Sequence, residues 1–272
     1  MIRPLDRRAV LRSAGLFGLL GLVGGGSVLA ACASEPEVGT SAKRVRVDGD
    51  VDRALLDAID AEAQTAARSV IDFWGPGTVW RGGAQARVRV FTDQAGFVAA
   101  GGDSNESAVT ATTTQDGVVL VAPQLARAAS GARVFVLTHE LTHVRLGVRS
   151  AAQHWVAEGA AELTALDASG MTLTTYAPTL VARVKSGQVP GGPPDDGELS
   201  ATASDLRSAY QRACAYSRFL LARSGAAHYR AWVEAALAGA TSPDFSGTFG
   251  GSQQSLSAAF RQWLTGQVDA GK

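Results

Sequence analysis

Apolar positions recur at helical spacing from Val51 to Trp74, through Leu55, Leu56, Ile59, Ala63, Ala66 and Val70, and Gly75-Pro76-Gly77 ends the run. Arg87-Val88-Arg89-Val90-Phe91 alternates instead, as a half-buried strand does. Ala108 to Thr114 and Val118 to Val121 predict two more strands flanking the turn Gln115-Asp116-Gly117. Next, Ala132 to Leu137 and then Val144, Leu146 and Val148 enclose a short polar core. Apolar surroundings of that kind predict a largely buried helix, with Ser130 as N-cap, Arg145 in the last turn and Gly147 as its stop. Trp155, Val156, Leu163 and Leu166 mark a second helix. Beyond it the pattern is mostly helical, interrupted at 186–200 (around Pro190-Gly191-Gly192-Pro193-Pro194-Asp195-Asp196-Gly197) and at 239–251. The first interruption reads as a surface loop, with a flap over a cleft as the alternative. No internal repeat is visible.

The N-terminus belongs to targeting rather than to the fold. Arg3, Arg7, Arg8 and Arg12 precede an apolar run from Ala14 to Ala31 that carries six glycines, a poor permanent membrane helix. Leu29-Ala30-Ala31-Cys32 has the small-residue pattern of a bacterial lipoprotein cleavage site, with lipid attached to Cys32. Asp6-Arg7-Arg8-Ala9-Val10-Leu11-Arg12 resembles a twin-arginine export signal. An uncleaved anchor helix is the alternative, and it leaves the domain on the same side of the membrane. The expectation is a signal peptide over 1–31, a flexible tether over 32–44, and one domain over 45–272 on the outer face of the cytoplasmic membrane, in the cell envelope. Within that domain, helix and sheet span about 45–130, two site-bearing helices about 131–168 and a helical part about 169–272.

Charge and cysteine content narrow the picture. Removing residues 1–31 takes away four arginines and Asp6, leaving 21 basic against 24 acidic side chains, formally −3. No basic patch is dense enough for nucleic acid. With Cys32 lipidated only Cys214 remains, so an intramolecular disulfide is excluded, and Cys214 reads as a small buried hydrophobe.

The polar core of the buried helix carries the chemistry. His139-Glu140-Leu141-Thr142-His143 places two imidazoles four residues apart, on one helical face, where they can close on a single Zn²⁺. Glu140 then sits beside the ion's open position as a general base. Two of the four histidines are used here, and buried imidazoles and carboxylates need partners that a metal supplies. Fourteen residues separate His143 from Glu158, and the intervening turn lets the second helix fold back so that Glu158 reaches the metal as third ligand. Glu162, one turn further on the same face, is placed to accept the second N–H of a ligand histidine. His154 is the rival third ligand. Without a metal, each of these carboxylates reads as an exposed helical charge.

His-Glu-x-x-His followed by Trp155-Val156-Ala157-Glu158-Gly159-Ala160-Ala161 resembles the gluzincin metallopeptidases, the group of thermolysin and the aminopeptidase N-like enzymes. The resemblance covers about residues 85 to 265. It implies an α+β, zincin-like fold: a small mixed sheet packed on the metal-binding helix, followed by a mainly helical part. It implies one Zn²⁺ on His139, His143 and Glu158, with Glu140 as general base and Glu162 orienting a ligand histidine. The downstream segment Ser208 to Leu221 is similar to the helix that carries an oxyanion-stabilising tyrosine, which by position is Tyr210. Tyr216 lies about 240° further around that helix and cannot share the task. An edge strand should border the cleft, and Val118 to Val121 is the candidate for that region. Metzincin spacing fails, because Leu146 and Arg149 stand where glycine and histidine are required. No Gly-x-Met-Glu-Asn motif precedes the helix, so aminopeptidase specificity is not implied.

The expected activity is therefore hydrolysis of peptide bonds in a peptide or protein substrate by a lipid-anchored zinc metallopeptidase. Two rivals remain: a surface lipoprotein that binds a partner and keeps zinc only structurally, and a zinc amidase acting on a cell-wall amide. A structural zinc prefers four protein ligands, and no fourth is evident. Oligomeric state is not readable from the sequence.

Overall fold

A computed structural model describes residues 44–75, 80, 83–104, 110–147, 154–200, 205–239 and 243–272. The expected signal peptide, Cys32 and the expected tether up to residue 43 lie outside these residues, as do Pro76-Gly77, the beginning of the strand expected from Ala108, and residues 148–153 between the two site-bearing helices. The first half runs β1 (Val45–Gly49), α1 (Arg53–Trp74), β2 (Ala86–Val90), α2 (Gln94–Ala99), β3 (Ala111–Thr113), β4 (Val118–Val121) and α3 (Pro123–Ala126). The central pair is α4 (Ser130–Leu146) and α5 (His154–Ser169). The chain then continues through α6 (Leu173–Tyr176), α7 (Pro178–Lys185), α8 (Leu206–Ser224), α9 (Ala226–Ala238), α10 (Phe245–Phe249) and α11 (Ser257–Asp269). The fold is α+β, with a small mixed sheet packed on the motif-bearing helix and a mainly helical remainder, as the sequence implied.

The sheet order is β1-β2-β4-β3. β1 and β2 are parallel, β2 and β4 are parallel, and β3 runs antiparallel to β4 with Thr112 opposite Leu120. The β3–β4 connection falls where the sequence put it. Gly117 adopts φ 78°, and the Thr114 hydroxyl accepts from the Val118 N–H at 3.0 Å and donates to Asp116 Oδ1 at 2.6 Å. Val118–Val121 is not the edge strand: it pairs on both sides, and its continuous apolar run goes with burial of Val119, Leu120 and Val121 on both faces of the sheet. The strand at that edge is β3. Thr114 bonds to Val118 of β4 and Thr110 to Ala122 just beyond it through their backbones, so by alternation Ala111 and Thr113 turn their N–H and C=O groups away from β4.

Helix α1 starts on Asp52, whose carboxylate accepts from the Leu55 N–H at 2.9 Å, and lays Ile59, Ala63, Ala66, Val70 and Trp74 into the core. A partly buried ion pair, Arg133 to Glu62 at 2.6 Å, ties it to α4. Ser130 does not cap α4. It is the first helical residue, and Ala129 holds the cap position without a side-chain bond. A missing cap forgoes about 1 kcal/mol, whereas burying Val136, Leu137, Leu141 and Val144 gains roughly 1.5–3 kcal/mol each, so packing sets this helix. Gly147 ends it in the left-handed conformation, donating to His143 O at 3.0 Å.

Every residue of α4 from Phe135 to Val144 is buried, and so is every residue of α5 from Trp155 to Leu166. These two helices form the centre of the molecule, with α1 and the sheet on one side and α8 and α9 on the other. Gly159 makes the second contact possible. A β-carbon there would stand 2.8 Å from Ala213 O and 2.4 Å from Ser217 Oγ, both on α8. Loop 186–200 packs on the helical layer: Glu198 pairs with Arg212, and a β-carbon on Gly191 would meet Ser257 and Arg261.

Candidate metal centre

Burying the polar core of α4 obliges its side chains to find partners, and α5 brings them. His139 Nε2 and His143 Nε2 lie 3.1 Å apart. Glu158 Oε2 stands 3.3 Å from the first and 3.5 Å from the second. Zn–N and Zn–O bonds of roughly 2.0–2.2 Å at tetrahedral angles require donors about 3.3 Å apart, so the three atoms have the spacing of one face of a zinc tetrahedron. Glu158 Oε2 is buried and has no hydrogen-bond partner among the described residues, which suits an atom meant for a cation. Among the described residues, this is the group of three side chains able to hold a metal ion.

The electrostatics of the metal-free cage follow from that crowding. Burial disfavours the charged form of His139, but Glu158 and Glu162 against its two ring nitrogens outweigh burial and raise its pKa well above the ordinary 6.5. Burial alone would lift the Glu158 carboxyl, yet the two imidazoles, His143 foremost, bring it down to about 2. A proton on His139 thus supplies positive charge where an ion would.

Glu140, 1 % exposed, turns into the same space. Its Oε2 accepts from the Thr113 hydroxyl on β3 at 2.6 Å, while Oε1 has no hydrogen-bond partner among the described residues. Burial raises its pKa above the ordinary value despite the pull of His139, His143 and the Thr113 hydrogen bond. A carboxylate with one oxygen fixed, the other free and its pKa raised has the form of a general base. Thr113 had no signal of its own in the sequence, because its contact with Glu140 spans 27 residues.

Glu162 lies on the far side of His139, its Oε1 3.3 Å from Nδ1. The His139 ring is therefore held between two α5 carboxylates one turn apart, Glu158 at Nε2 and Glu162 at Nδ1. Sequence reasoning also missed Tyr176, whose hydroxyl donates to Glu162 Oε2 at 2.5 Å. Tyr210 is buried on α8 with its ring centroid 6.3 Å from that of His139. Tyr216, on the same helix, points elsewhere, into a cluster with Trp155 and Phe260. His154 is not brought to the cage: it is exposed at the start of α5, its backbone N–H on Asp196.

No family model and no curated protein sequence matches the chain. Among solved structures it is similar to a mutant M1 zinc metallopeptidase from Deinococcus radiodurans, at 18% identity and a TM-score of 0.46, over 85% of this chain and 50% of that one. A two-domain M1 zinc metallopeptidase mutant bound to L-arginine matches at 18% identity and a TM-score of 0.45, over 85% and 49%. The chain spans about half the length of these structures.

Proposed function

We propose that the chain is a zinc-dependent peptidase, anchored outside the cytoplasmic membrane by lipid on Cys32. The observation that carries the reading is the buried triangle of His139 Nε2, His143 Nε2 and Glu158 Oε2, with Glu140 beside it. Three protein donors leave a coordination position open, which favours catalysis over a structural zinc. A zinc ion held by His139, His143 and Glu158 would supply Lewis-acid chemistry and lower the pKa of a bound water. Glu140 Oε1 takes the proton of the attacking water and returns it to the leaving amine, while Thr113 keeps the carboxylate in place through Oε2. Tyr210 faces the same imidazole and hydrogen-bonds the oxyanion. An extended substrate adds to the outer edge of β3 through the backbone of Ala111 and Thr113, which brings its scissile carbonyl to the cage.

The test is metal analysis of the purified domain, followed by cleavage of a mixed peptide library with and without chelator. One equivalent of zinc and chelator-sensitive cleavage are expected. Zinc without any cleavage would favour a partner-binding lipoprotein, and cleavage of cell-wall amides alone would reassign the substrate. The anchor is tested separately: lipid incorporation should vanish in Cys32→Ser.

A further inference from the structure

The His139 side of the cage extends one residue further than the motifs reach. We propose that Tyr176 is a positioning residue of the metal centre, holding Glu162 so that this carboxylate fixes the His139 ring with Nε2 toward the ion. The inference rests on the reading of His139, His143 and Glu158 as zinc ligands.

A glutamate has three side-chain torsions, and its carboxylate is fixed in orientation when both oxygens are held. Here each oxygen has its own tie: Oε2 takes the Tyr176 O–H at 2.5 Å and Oε1 meets His139 Nδ1 at 3.3 Å. Releasing the first would let the carboxylate swing away from Nδ1, and the imidazole would lose the contact that sets its tautomer and orientation.

Tyr176 is itself held from several directions. Its ring stacks on Phe135, with centroids 5.7 Å apart and planes 18° off parallel. Phe135 lies one turn before His139 on α4, so the stack aligns the phenol with the turn from which the imidazole leaves. The backbone is fixed too. Thr172 caps the short helix by accepting from the Thr175 N–H at 3.1 Å, and buried Leu173 and Ala177 flank the tyrosine. The Thr174 N–H donates to Lys272 O at 3.1 Å, which ties α6 to the segment following α11. Burial and the neighbouring Glu162 push the phenol pKa well above its ordinary value, so the hydroxyl remains a donor at any working pH.

Zinc dissociation constants, measured by chelator competition on the full domain, decide the matter without reference to turnover. Tyr176→Phe keeps the ring stack and removes only the hydroxyl. It should weaken zinc binding roughly 10-fold, at the lower end of effects for groups that orient a ligand. Because Tyr176 acts through Glu162, the double variant with Glu162→Gln should bind zinc no more weakly than Glu162→Gln alone. Cobalt-substituted Tyr176→Phe should show shifted ligand-field bands, which a purely packing role would not produce. Tyr176→Leu, lacking ring and hydroxyl, is the second variant should the phenylalanine fold poorly. Unchanged affinity in both variants, or losses that add in the double variant, would overturn the proposal. Zinc-loaded wild type that cleaves nothing would sink the peptidase reading and leave this inference to be judged on affinity. Wild type without zinc affinity would sink both.

Discussion

The two sides of the cage are built differently. On the sheet side, a short edge strand contributes one hydroxyl, by which Thr113 holds Glu140, the proposed base. On the helical side, α5 and α6 hold the imidazole positioned to bind a metal, through a chain of three side chains, His139, Glu162 and Tyr176. His143 has no such chain: its Nδ1 is buried without a hydrogen-bond partner among the described residues. Under the proposed function the lesson is a division of labour, in which the strand would govern base geometry and the helical layer metal retention. If it holds, damage to one side should leave the other function standing.

The largest effect should come from Glu140→Gln, which ought to lower kcat/KM by about 10³-fold or more with stoichiometric zinc retained. Undiminished cleavage would end the assignment of the base. Glu162→Gln should weaken zinc by about 10- to 100-fold while kcat at saturating zinc stays near that of the wild type, as read by chelator competition beside steady-state kinetics. Thr113→Val is the mirror case: kcat falls about 10-fold, KM and zinc affinity hold, and Thr113→Ser recovers the rate. A Thr113→Val variant that loses its metal instead would erase the distinction between the two sides. Gly159→Ala should cost about 1–3 kcal/mol in urea unfolding, since its β-carbon would strike Ala213 and Ser217 on α8.

The smallest and most diagnostic effect is that of pH on the metal-free protein. His139, with a folded pKa raised above 6.5, contributes stability that is whole below 6.5 and is lost as pH rises through the folded value. Glu158, lowered from 4.5 to about 2, contributes stability that is whole above 4.5 and is lost as pH falls through about 2. Together they favour the metal-free fold most between pH 4.5 and 6.5. Zinc must displace the His139 proton, so the rise in Tm on adding zinc should grow from pH 6 to pH 8 while the metal-free Tm falls. A metal-free Tm that climbs over that interval would contradict the charge assignment.

How much of this was readable beforehand depended on distance along the chain. His139, Glu140 and His143 share one helix, and Glu158 and Glu162 share the next, so helical periodicity alone placed them on common faces. The α1 run and the β3–β4 turn were equally local. Strand β1 was missed although Val45-Arg46-Val47-Asp48 alternates as β2 does: the run is short and follows directly on the expected tether, and its pairing with β2 comes some forty residues later. The order of strands within the sheet was not readable either: Val118–Val121 and Ala111–Thr113 both read as strands, and only long-range pairing puts β3 at the edge. Thr113 and Tyr176 gave no pattern, since one sits on a three-residue strand and the other on a single-turn helix, each acting across a tertiary contact.

Cys214, 0 % exposed on α8, lies in the layer that backs α5, and burial together with the nearby Glu162 charge pushes its thiol pKa well up. A thiol sealed in this way reacts only when its surroundings open. In a Cys32→Ser background, the rate at which a soluble thiol reagent modifies Cys214 becomes a clock for breathing of the helical layer. Zinc should slow that clock by bracing α5 against α4.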